Sequence, residues 1–166
     1  MITLISGTSR PGSNTRKITG YYKKILDELN VPNQLLDLSE QNVLLKNESF
    51  IALESQFLFA ADKFIFIIPE YNGSYPGIVK LMIDNSNVSQ AWHHKKALLT
   101  GVSSGRAGNL RGMEHLTGSL LHMKMLVHPN RLPISNVDKI LDQHANITDE
   151  ETVNAIKKQL ADFVQF

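Results

Sequence analysis

Residues Phe64-Ile65-Phe66-Ile67-Ile68 form an unbroken apolar run between Lys63 and Pro69. A strand with one face in water alternates apolar with polar residues. An unbroken aromatic and β-branched run needs cover on both faces. Helices on either side of a parallel sheet supply that cover, so this segment predicts a central parallel strand in an α/β protein. The remaining pattern agrees with it. Ile2–Ser6 is a second short apolar run, stopped by Gly7, and Ala97–Val102 is a third. Gln34–Leu38 is a further strand candidate and Lys124–His128 reads as the last strand. Between the strands the apolar period lengthens to that of a helix. Ile18, Tyr22, Ile25 and Leu29 form one stripe, and Phe50, Leu53, Phe57 and Ala61 a second. Met113, Leu116 and Leu120 form another, and Val153, Ile156, Leu160, Phe163 and Val164 the last. Pro76 suits the first turn of a helix after the central strand, where its missing N–H does no harm. Thr148-Asp149-Glu150-Glu151 reads as a capping box.

Strand and helix thus alternate along the whole chain. Right-handed crossovers lay each helix on the sheet, giving a doubly wound, three-layer, five-stranded parallel sheet of order 2-1-3-4-5. No linker or repeat interrupts the 166 residues, so residues 1–166 are expected to form a single domain. Ligands of such sheets bind outside the carboxyl ends of the strands, at the switch point. That places function in the loops after the first, third and fourth strands.

Composition removes several kinds of chemistry. There is no cysteine, which excludes disulfides, thiolate metal sites, iron–sulfur clusters and a cysteine nucleophile. A formal net charge of +1 lacks the basic stripe of a nucleic-acid binder and the acidity of a charge-steered shuttle. His93 and His94 are adjacent, and His115 and His122 lie seven residues apart. Neither spacing is that of metal ligands, so no metal is expected. No membrane span or signal peptide is expected either, and a cytoplasmic location fits.

Each of the three loops has residues suited to a ligand. Gly7-Thr8-Ser9-Arg10-Pro11-Gly12-Ser13-Asn14-Thr15 follows a strand and opens a helix. Free N–H groups at a helix start, with hydroxyls and an arginine, suit a phosphate. The loop is neither a Walker A nor a Gly-x-Gly-x-x-Gly loop, so a phosphomonoester suits it better than a triphosphate or dinucleotide. Pro69-Glu70-Tyr71-Asn72-Gly73-Ser74-Tyr75-Pro76-Gly77 can lay backbone and ring against a flat ligand, or can be a simple turn. Thr100-Gly101-Val102-Ser103-Ser104-Gly105-Arg106-Ala107-Gly108-Asn109 permits close backbone approach, or is a solvated loop.

Taken together, Gly7-Thr8-Ser9-Arg10 with Ser13, Pro69-Glu70-Tyr71-Asn72-Gly73-Ser74 with Pro76-Gly77, Lys80 and Asp84, and Gly101-Val102-Ser103 with Gly105 and Gly108 resemble the NAD(P)H-dependent FMN reductase family of quinone, azo-dye and chromate reductases. The chain departs from that pattern at Thr15, where Asn is usual, and at Gly108-Asn109, where Gly-Gly is usual. It also departs at Asn85, where Trp is common. The resemblance implies a flavodoxin-like fold and an FMN cofactor, with NADPH or NADH as electron donor. A quinone, free flavin or similar small molecule would be the acceptor. It implies that Ser9, Arg10, Ser13, Asn14 and Thr15 hold the phosphate. Pro69, Glu70, Tyr71, Asn72 and Gly73 would line the ring, with Ser103, Ser104, Gly105 and Gly108 along its other edge. No side chain need act as acid or nucleophile, so no catalytic residue is expected. Arg106 is expected to be a solvated loop charge. The resemblance also implies a homodimer or homotetramer, to which the apolar helix with Ile78, Val79, Met82 and Ile83 is suited. Two other readings share the scaffold: a flavodoxin-type electron carrier and a flavin-free sensor.

Overall fold

A computed structural model describes residues Met1–Phe166. Its sheet grows outward from the apolar run. β3 (Lys63–Pro69) lies between β1 (Ile2–Ser6) and β4 (Lys96–Val102), with β2 (Asn33–Asp37) beyond β1. All neighbours are parallel, and Leu4 stands level with Leu35 on one side and Ile65 on the other. The order is β2-β1-β3-β4-β5, as expected. The edge differs from the expectation of five strands. The fifth strand is split into β5 (Leu126–Val127), paired with Lys96 and Ala97, and β6 (Leu132–Ile134), paired with Thr100 to Val102. Pro129 lies in the break; it has no N–H to give to a ladder.

Helices cover both faces. Alternate strand residues Leu4, Ile65, Ile67 and Leu98 pack on α1 (Asn14–Glu28) and α7 (Glu150–Gln165) through Ile18, Tyr22, Leu26, Ile156, Leu160 and Phe163. Ile5, Phe64, Phe66 and Leu99 face the opposite layer. That layer holds α2 (Glu48–Leu53), α3 (Gly77–Asn85), a short α4 (Val88–Ala91) and α5 (Leu110–His122). The central strand is buried from Phe64 onward, and the double cover explains its composition. Met113, Met123 and Met125 are core residues.

Several local expectations need correction. Leu29 is exposed, because α1 stops at Glu28 and Leu26 takes the inward place. The stripe from Phe50 is helical only to Phe59 and widens into a π turn over Glu54–Phe59, so Leu58 rather than Phe57 points inward and Ala61 is buried beyond the helix end. The capping residue of α7 is Asp149; Thr148 instead donates to the Ile140 carbonyl. Pro76 is the cap of α3, one residue before its first turn. Val79, Met82 and Ile83 are buried in the protein's own core, so only Ile78 and Leu81 of α3 are apolar and half-covered. The last short helix is α6 (Val137–Ile140), reached from β6 through Asn136 in the left-handed region.

Candidate functional site

The first loop leaves β1 with Gly7 still bonded to the sheet, its N–H on the Ile67 carbonyl at 2.9 Å. Ser13 then caps α1, its Oγ accepting from the Arg16 amide at 3.2 Å. The amides of Gly12, Ser13, Asn14 and Thr15 find no acceptor within the chain, and the first turn of α1 carries no acidic residue. Four consecutive free N–H groups at the positive end of a 15-residue helix form a cradle for an anion. Arg10 adds a full charge. Its guanidinium lies over the Tyr71 ring, with Cζ 4.5 Å from the centroid. Arg16 is committed to buried Asp37 and Arg131 to Glu114. Arg10, Arg106 and Arg111 have no carboxylate within ion-pair distance.

Tyr71 ties the second loop to the first, since its hydroxyl and Thr8 Oγ1 lie 2.8 Å apart. Tyr71 and Ser74 exchange backbone hydrogen bonds around Asn72 and Gly73, both with positive φ. This is the tight turn that an Asn-Gly pair favours, because both central residues must be left-handed. The third loop folds on Ser103. Its Oγ donates to the Gly105 carbonyl and accepts from the Gly108 amide, both at 3.0 Å. The amides of Ser104, Gly105, Arg106 and Ala107 are left without acceptors.

The three loops converge on one cleft of ≈ 250 Å³ at the carboxyl end of the sheet. Of the expected site residues, Arg10, Ser13, Asn14, Thr15, Pro69, Glu70, Tyr71, Ser103 and Ser104 line it. Ser9, Asn72, Gly73, Gly105 and Gly108 do not. Ser9 and Asn72 point to solvent, and Gly73 abuts the Arg111 side chain. The Gly105 carbonyl is occupied by Ser103 Oγ and the Asn136 amide, while Gly108 is packed beneath Pro133. Arg106 is exposed.

Four lining residues escaped the sequence reading: Thr8, Val102, Val137 and Asp138. Thr8 and Val102 sit at strand ends next to residues that were chosen, so the switch-point rule could have found them. Val137 and Asp138 arrive because Asn136 and Val137 donate to the carbonyls of Gly105 and Ser103, folding α6 against the third loop. Asp138 then accepts from the Asn14 side chain at 2.6 Å, joining α6 to the start of α1. No motif announces that contact.

A larger groove of ≈ 620 Å³ runs between α3 and α5, lined by Lys80, Asp84, His115, His122 and others. Size does not make it the better candidate. Lys80 and Asp84 satisfy each other there, and it lacks the converging free amides of the cleft. The second loop reaches this groove, since Ser74 Oγ lies 2.9 Å from Nδ1 of His115, which lines it.

Residues 1–139 match the family profile described as NADPH-dependent FMN reductase. The chain belongs to this family. Among its relatives, an NAD(P)H-dependent FMN reductase of Pseudomonas aeruginosa is 31% identical, over 94% of this chain and 89% of the relative. A 2-hydroxy-1,4-benzoquinone reductase of a Burkholderia species is 28% identical over 55% of this chain and 52% of its own length. The fold of this FMN reductase family member is shared with FerB, a flavoenzyme NAD(P)H:(acceptor) oxidoreductase of Paracoccus denitrificans. The TM-score is 0.81 at 24% identity, over 99% of this chain and 94% of that one. An archaeal flavodoxin shares the flavodoxin-like architecture, with a TM-score of 0.60 and 12% identity, over 97% and 95% of the two chains. No helix is long and apolar enough to cross a membrane.

Proposed function

We propose that this family member is an FMN-dependent oxidoreductase that takes hydride from NADPH or NADH and reduces a quinone, free flavin or similar small acceptor. One observation carries the reading: residues with free amides, Ser13–Thr15 from the first loop and Ser104 from the third, line one cleft from opposite sides, and the free amides continue beyond it at Gly12 and at Gly105–Ala107. The first set suits a phosphomonoester and the second the polar edge of a planar ring. FMN presents both groups, so the residues present fit it. Arg10, Ser13, Asn14 and Thr15 would hold the phosphate; Pro69, Glu70, Tyr71, Ser103 and Ser104 would flank the ring. Ser9, Asn72, Gly73, Gly105 and Gly108 act in this proposal through loop shape rather than by lining the cleft.

Bound FMN supplies the redox chemistry, accepting a hydride and passing on two electrons, so that NADPH, one proton and a quinone become NADP⁺ and hydroquinone. The protein binds and orients. Tyr71 is held by Thr8 and covered by Arg10, which fixes the second loop against the first. Val102, Val137 and Pro69 contribute the apolar part of the wall. No acidic or basic side chain is required to move a proton at a reacting atom.

A cytoplasmic location and assembly into a homodimer or homotetramer belong to the same proposal. Assembly is supported by Ile78 and Leu81, apolar residues of α3 that its own core covers only in part. The test is direct. Protein loaded with FMN is mixed with NADPH and benzoquinone, and nucleotide oxidation is followed. Turnover that requires both flavin and quinone is expected; nucleotide left unoxidised by flavin-loaded protein would overturn the reading.

A further inference from the structure

Asn109 stands where the second and third loops meet, and it is not an ordinary helix cap. It precedes α5, is fully buried, and has a left-handed backbone with φ 60° and ψ 34°. Its side chain makes no bond to the first turn of α5. Instead Nδ2 reaches back and donates to the carbonyls of Ile68 and Pro69, at 3.1 and 2.8 Å. These are the last two carbonyls of β3, just before Glu70. Two carbonyl acceptors admit the amide nitrogen and not its oxygen, so chemistry fixes which way the group points. Oδ1 is then left buried with no partner. It lies over Gly112, where any Cβ would come within 2.1 Å of it.

The arrangement has two costs: a left-handed non-glycine residue and an orphaned buried oxygen. Glycine at 109 would remove both. What asparagine adds is a hydrogen-bonded tie between the end of β3 and the end of the third loop. The Glu70 amide also donates to the Val102 carbonyl, at 3.0 Å. Residues 68–70 are therefore held by β4 and by Asn109 at once.

We propose that Asn109 is a positioning residue for the flavin ring. It does not line the cleft. It sets the spacing between the Pro69-Glu70-Tyr71 wall and the Ser103-Ser104 wall, and so the fit of a planar ring between them. The inference rests on the FMN reading. It leaves the anion cradle alone, because Asn109 has no bond to residues 7–15.

Two variants test it. Asn109→Gly keeps the left-handed backbone and removes the amide. Asn109→Ala also removes the amide while keeping a Cβ on the same backbone. FMN affinity is measured by titration, and amide hydrogen exchange is followed in the FMN-free protein. Both variants should bind FMN about tenfold more weakly, the scale of a lost buried hydrogen bond. Exchange should quicken at Glu70 and Tyr71 while the amides of α1 keep their protection. Unchanged FMN affinity overturns the proposal. So does weakened affinity accompanied by faster exchange throughout the chain, which marks a general loss of stability. Should either variant fail to fold, the other decides the matter. Unmodified protein that takes up no FMN would overturn the underlying reading instead, which is a separate result.

Discussion

Arg10 and Tyr71 belong to different loops and depend on each other. The guanidinium covers the ring, and the phenol hydroxyl is bonded to Thr8, whose hydroxyl oxygen also accepts from the Arg10 amide. Having no carboxylate partner in the chain, Arg10 is free to pair with an anion in the cradle. A charge-assisted hydrogen bond contributes about 1.5–3 kcal/mol. Arg10→Ala is therefore expected to raise the FMN dissociation constant about tenfold or more, as measured by quenching of flavin fluorescence. Arg131→Ala, whose lost partner is Glu114 outside the cleft, should leave that constant unchanged. Equal effects from the two would mean that Arg10 acts only through general charge. Deeper in the protein, Tyr22 shows a polar group put to structural use. Burial pushes its phenol well above the ordinary range, so it stays neutral. It bonds to Gln159 at 2.6 Å and lies 2.9 Å from Thr100, joining α1 to α7 through the sheet.

At the scale of elements, α7 closes one face of the sheet and its start depends on Asp149. That carboxylate accepts from both the hydroxyl and the amide of Thr152. These two bonds, the side-chain one foremost, hold its pKa below the ordinary 3.8. A depressed folded pKa means that the contribution is complete above the unfolded value and fades as pH falls through the folded one. Asp149→Ala should thus lower the melting temperature at neutral pH, and the gap from the parent should close as the pH is taken well below 3.8. Thermal melts at both pH values check this; a gap that persists in acid would assign the loss to packing. The cap also shows where sequence reading fell short. The acidic-rich stretch was legible, but Thr148 and Asp149 are both good caps, and only the bond from Thr148 to the Ile140 carbonyl decides between them. The central strands were legible because cover on both faces demands unbroken apolar runs. The divided edge strand was not: β5 and β6 are short, half-exposed pieces with no strong period. The π turn in the second helical stripe was not legible either: it moves the inward place from Phe57 to Leu58, five residues after Leu53.

Across the whole molecule, the order of strands determines which loops meet, and that order is legible in the sequence. Loops that follow neighbouring parallel strands come together at one end of the sheet, so the first, second and third special loops share a cleft. Their inner detail was less accessible. Gly105 shapes a turn through the bond its carbonyl accepts from Ser103, and Gly108 packs beneath Pro133, so neither lines the cleft, a distinction that depends on chain path. Asp138 and Val137 enter from a segment more than a hundred residues away from Asn14, through backbone bonds that leave no mark in composition. A flavin held in this cleft would be anchored chiefly by its phosphate. The measurement that tests it most directly is calorimetric titration of the flavin-free protein with FMN and, separately, with riboflavin, which has the same ring and no phosphate. One FMN per chain should bind, far more tightly than riboflavin. Equal affinity for the two, or no uptake of FMN, would contradict it.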